Sequence, residues 1–80
     1  MTHKIDIRTL AEGHQVEVHG LVDPAALAGI RALIATGRVR RVVLKAGCQV
    51  EPAMLDELRQ LAGVVLVAES PFLARWLGTR

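Results

Sequence analysis

The most reactive side chain in this chain of 80 residues is a lone thiol. Cys48 stands in Lys45-Ala46-Gly47-Cys48-Gln49, just before a segment that reads as a helix start. A lysine and a helix N-terminus can lower a thiol's pKa enough to make it a nucleophile. No second cysteine is present to resolve an oxidised sulfur, so a small residue packed in a loop is the plainer reading. His3, His14 and His19 all lie in the first twenty residues. His19 and Asp6 would meet on adjacent strands, but a metal needs more converging ligands than two. Ser70 would be a nucleophile only beside a histidine and a carboxylate; standing before Pro71, it reads as a helix cap. A phosphate loop needs clustered glycines after the first parallel strand, and Gly20-Leu21-Val22-Asp23 does not supply them. These residues point to no catalytic constellation. The expectation is a non-enzymatic protein with no cofactor and no metal.

The elements that would position these side chains are marked by three prolines. Asp23-Pro24, Glu51-Pro52 and Ser70-Pro71 each place an oxygen-bearing side chain before a proline, and each opens an apolar stretch closed by a glycine: Gly37, Gly63 and Gly78. Proline at the first helical position loses no hydrogen bond, and glycine past the last turn accepts a left-handed conformation. Helices are therefore predicted from about Pro24 to Thr36, Pro52 to Ala62 and Pro71 to Leu77. Ala26, Leu27, Ile30, Leu33 and Ile34 form the inner stripe of the first, and Met54, Leu55, Leu58 and Leu61 that of the second. Phe72, Leu73, Trp76 and Leu77 are expected to supply the buried side of the third.

The remaining segments read as strands. Ile5 and Ile7 alternate with Lys4, Asp6 and Arg8, and Val16 and Val18 alternate with Gln15, Glu17 and His19. Two such runs around a turn at Glu12-Gly13 predict a β-hairpin. Setting Arg8 against Glu17 and Asp6 against His19 would pair compatible charges; a shift of two residues would set Asp6 against Glu17. Arg40 to Ala46 follows as a strand with Val42 and Leu44 inward and Arg41 and Lys45 on a wet face. Val64 to Ala68 is nearly continuously apolar, as expected of a central or well-covered parallel strand. The fold class is α/β: a β-β-α-β-α-β-α order, a mixed and mostly parallel sheet, and helices mainly on one face.

Composition sets outer bounds. The chain is long enough for one domain, spanning 1–80, and its 51% hydrophobic content compensates for small size. With one Phe, one Trp and no Tyr, its core must be aliphatic, and base stacking has little to work with. The net charge is only +2, and the densest basic stretch, Arg38, Arg40, Arg41 and Lys45, reads as a solvated loop and strand start, which argues against a nucleic-acid partner. The single cysteine agrees with a reducing cytoplasm. No apolar run approaches the roughly twenty residues of a membrane span.

Three stretches together resemble a STAS domain, the fold of anti-sigma-factor antagonists and of the cytoplasmic domains of sulfate transporters. They are Val16-Glu17-Val18-His19-Gly20-Leu21-Val22-Asp23, Arg41-Val42-Val43-Leu44, and Val64-Val65-Leu66-Val67-Ala68-Glu69-Ser70-Pro71. The resemblance covers about residues 5–78 and rests mostly on apolar patterns. It implies a regulatory protein-binding module whose typical members carry a phosphorylatable serine at the start of the second helix, after an acidic residue. Glu51 falls at the acidic position, and Pro52 or Ala53 where the serine would be. No Ser or Thr lies between Gly37 and Glu69, so that phosphate switch has no acceptor here.

The resulting expectation is a docking surface for a protein partner, bordered by Cys48, Gln49, Glu51, Pro52 and Asp56. The resemblance suggests regulators of transcription factors or small subunits of larger assemblies, including lipid-transport complexes. Self-association across an uncovered sheet edge is a variant of it. The alternative is a small-ligand or nucleotide-binding protein that uses the strand C-termini near Asp23, Gly47 and Ser70.

Overall fold

The computed structural model describes residues 3–77. The elements run β1 (His3–Leu10), β2 (Gly13–Val22), α1 (Pro24–Ala35), β3 (Val39–Leu44), β4 (Gln49–Val50), α2 (Pro52–Arg59), β5 (Val65–Ala68) and α3 (Pro71–Leu77). The sheet order is β1-β2-β3-β5, with β4 pairing β2 off this path. β1 and β2 are antiparallel, and every other pairing is parallel. The α/β class, the element order and the mixed sheet are as the sequence predicts; β4 is an addition, too short to carry a periodic pattern.

Capping chemistry explains the helix starts. Asp23 accepts the Ala26 amide at 2.9 Å, and Ser70 Oγ accepts the Leu73 amide at 3.5 Å. α1 ends as expected, at Thr36, with Gly37 at φ +79° just beyond. α2 ends three residues earlier than predicted. Its last turn tightens as the Gln60 amide reaches the Asp56 and Glu57 carbonyls, so Gly63 turns the chain into β5 and does not close the helix. Gly78, the expected stop of α3, lies outside the described residues.

The three helices form one layer. α1 lies on β2, α3 on β5, and α2 packs against both of the other helices. Ala26, Leu27 and Ile30 of α1, Leu58 of α2, and Leu73 and Leu77 of α3 join Val16, Val18, Val42 and Leu44 in a single core. On the other side of the sheet no helix packs among the described residues, yet the middle of that face is not wet throughout. Val43 is buried there, and Glu17 beside it is only 8% exposed.

Three expectations are corrected. The hairpin turn is Ala11-Glu12, with Leu10 opposite Gly13, so the register differs by two residues and Asp6 stands opposite Glu17. The reason lies at Gly13: a Cβ there would come within 2.6 Å of the Arg38 carbonyl, so the glycine is needed inside the strand at φ +146° and not in the turn. The charge pairs survive on the diagonal, with Arg8 Nε 3.3 Å from Glu17 and His19 Nε2 3.3 Å from Asp6. β5 is the edge of the sheet, not its centre, and Val65 is exposed. Phe72 and Trp76 point to solvent, 66% and 53% exposed, and touch each other with ring centroids 6.0 Å apart. Leu73 and Leu77 alone make the buried stripe of α3.

Candidate functional site

The loop between β3 and α2 is built by backbone hydrogen bonds on one side and a carboxylate on the other. The Lys45 amide donates to the Val18 carbonyl at 3.0 Å, and the Cys48 amide closes a turn onto the Lys45 carbonyl at 2.9 Å. β4 then extends the sheet beside the end of β2, with Gln49 opposite Leu21 and Val50 opposite Val22. The Glu51 amide donates to the Val22 carbonyl at 3.1 Å. From the other side, Glu69 receives Lys45 Nζ at 3.0 Å and the Ala46 amide at 3.2 Å. The hydrogen bond and charge of Lys45, with the Ala46 amide, hold the Glu69 carboxyl below its ordinary range.

The five candidate residues divide by exposure. Cys48 is only 6% exposed and belongs to the core, where desolvation raises its thiol pKa. That is the opposite of an activated nucleophile, and it makes Cys48 a support beneath the loop. Gln49, Pro52 and Asp56 are exposed, and Glu51 is half-buried between them in sequence. Asp56 meets Arg59 at 3.5 Å one turn along α2, an exposed pair worth little energetically. Pro52 begins α2 without needing a hydrogen-bond donor.

Glu51 differs from the other two residues that precede a helix-starting proline. Asp23 and Ser70 engage the amides of their own helices, whereas Glu51 makes no side-chain capping bond. Among the described residues its carboxylate has no salt-bridge partner either. A glutamate carries one methylene more than the favoured capping residues, which explains why it does not close onto the helix. A permanent negative charge thus stands at the positive end of α2, a position worth about 0.3–1 kcal/mol.

Glu69 was not among the expected site residues. Its signal is the parallel register: Leu44 pairs with Ala68, so the next residues of the two strands, Lys45 and Glu69, carry opposite charges at the same offset. Asp23 and Ser70, named for the ligand alternative, each have a side-chain oxygen engaged by a backbone amide, Asp23 through Oδ1 and Ser70 through Oγ. Among the described residues, no three or more His, Cys, Asp or Glu side chains gather as metal ligands, and no helix is long and apolar enough to cross a membrane. Comparisons with protein-family models, with curated proteins and with solved structures find no match.

Proposed function

We propose that this chain is a non-enzymatic protein-interaction module of the STAS type, docking a protein partner through Gln49, Glu51, Pro52 and Asp56. The observation that carries the reading is the uncommitted Glu51 carboxylate. It stands on a loop braced from β2 and from Glu69, beside exposed residues on the first turn and a half of α2. A braced loop loses little conformational entropy on binding, so more of the contact energy appears as affinity. The helix layer over a mixed sheet, the order of the elements and the place of this loop after β3 support the resemblance. With no hydroxyl at the start of α2, phosphorylation has nothing to act on there, and docking is constitutive.

Affinity capture from the native host tests the proposal, followed by titration of the recovered partner. Glu51→Lys reverses the charge on a residue with no structural bond to lose, and it is expected to weaken the partner by at least about tenfold. Asp56→Lys is expected to weaken it less. Unchanged affinity in Glu51→Lys defeats the docking role. A melting point raised by a nucleotide, with no stoichiometric protein captured, favours the ligand reading instead.

A further inference from the structure

We infer that the opposite end of the sheet carries a second docking surface: an arginine-lined trench for an extended acidic peptide segment with apolar flanks. Of the nine lysines and arginines among the described residues, five are paired in place, and Arg75 stands by itself and unpaired on α3. Lys4, Arg8, Arg31, Lys45 and Arg59 each have a carboxylate partner. Arg38, Arg40 and Arg41 have none within salt-bridge distance among the described residues, although they crowd into four consecutive positions at the start of β3. All three are exposed. Like charges this close repel one another, so leaving them unpaired has no evident structural benefit.

Three surface depressions adjoin at this end, and neighbours share an arginine. Arg38 lines a depression of about 450 Å³ and the next, of about 320 Å³. Arg40 lines that second one and a third, of about 480 Å³, which Arg41 also borders. The depressions therefore adjoin in one row, which is the trench of the proposal. Its two ends are apolar: Ile7, Leu33 and Val39 at one, Val64 and Val65 at the other. The only carboxylate along it is Glu12.

The trench is built, not a loose basic loop. The His14 amide donates to the Arg38 carbonyl at 2.8 Å, and Arg40 Nε donates to the Glu12 carbonyl at 3.2 Å. An irregularity in the β2–β3 register between His14 and Gln15 lets both Arg40 and Arg41 face outward. His14 lines two of the depressions and holds the one buried side-chain nitrogen or oxygen atom without a partner among the described residues.

Charge and shape choose the occupant. Cations in the middle and apolar walls at both ends complement a chain whose carboxylates are flanked by apolar side chains. A phosphodiester strand is ionic along its whole length and leaves the apolar ends unused, and a flat lipid surface cannot follow a concave trench. This surface is independent of Glu51, because β3 separates the two by about 20 Å of strand.

The test uses a fluorescein-labelled peptide of four consecutive glutamates flanked on each side by two leucines, read by anisotropy with the full chain. Saturable binding is expected, weakening as salt rises from about 50 to 500 mM. The double variant Arg38→Gln/Arg41→Gln should lower affinity at least about tenfold, whereas Arg59→Gln/Arg75→Gln, the same loss of two positive charges on α2 and α3, should not. Serine in place of the leucines should weaken the peptide as well. A far-UV melt of each variant shows that it is folded. The inference is overturned by absence of saturable binding, by equal loss in Arg59→Gln/Arg75→Gln, or by tighter binding of an oligothymidylate or of phosphatidylserine vesicles.

Discussion

Replacing Gly13 by alanine should be among the most damaging small substitutions in the chain. Gly13 lies at φ +146°, and a Cβ there would meet the Arg38 carbonyl oxygen at 2.6 Å and Arg40 Cγ at 2.8 Å. The arginine side chain can move, but the carbonyl is held because it accepts the His14 amide at 2.8 Å. An L-residue in this backbone region costs about 1–2 kcal/mol. Relieving the clash means stretching the His14–Arg38 hydrogen bond, worth about 0.5–1.5 kcal/mol net, or bending the hairpin away from β3. Together these give about 1.5–3.5 kcal/mol, against a total stability of about 4–12 kcal/mol for a domain of this size. The melting temperature should fall by at least about 6 °C. Urea unfolding followed by far-UV circular dichroism measures the loss directly. Gly47→Ala is the control: nothing lies within 4 Å of its Cβ and its φ is not positive, so it should be neutral or slightly stabilising. Equal stability of the two variants, or a loss under about 1 kcal/mol in Gly13→Ala, would refute the close approach of the hairpin to the α1–β3 connection.

Other expectations follow from single residues. Leu58 is the one fully buried residue of α2, at 1% exposure, so Leu58→Ala should cost about 2–5 kcal/mol and speed amide exchange throughout α2. The buried, pKa-raised Cys48 thiol should react with iodoacetamide more slowly than glutathione does, and at the model-thiol rate only in denaturant. Glu69 has its pKa depressed below 4.5 in the folded chain, so its brace stabilises above that value and is lost as the pH falls through the lowered pKa. The stability difference between the wild type and Glu69→Gln should accordingly be present near neutral pH and shrink as the pH falls through the lowered pKa, as measured by parallel urea titrations.

How much of this was legible in the sequence varies with the range of the interaction. The helix starts were, because Asp23-Pro24, Glu51-Pro52 and Ser70-Pro71 encode their own local chemistry. The parallel sheet followed from strands alternating with helices. The hairpin register was not, because the demand for Gly13 comes from Arg38, twenty-five residues away. Phe72/Trp76 and Leu73/Leu77 are adjacent stripes with the same four-residue spacing, so periodicity cannot tell which one faces the core. The apolar run of β5 looked central, yet only β3 lies beside it, and α3 covers one face. At the candidate site the exposed rim was readable from position in the chain, but the free state of Glu51 was not. A free carboxylate is a fact about what fails to reach it, and that depends on the packed loop. The unpaired state of Arg38, Arg40 and Arg41 was hidden for the same reason.

Site-specific photo-crosslinking in the native host tests the docking claim most directly. A photoreactive residue at Gln49 should yield one dominant protein adduct in cells, and Glu51→Lys in the same chain should abolish it while the far-UV melt, lowered only by the lost helix-end charge, shows the chain still folded. An adduct of the same intensity with Glu51→Lys, or no protein adduct from Gln49 when a probe elsewhere on the surface gives one, would contradict the account.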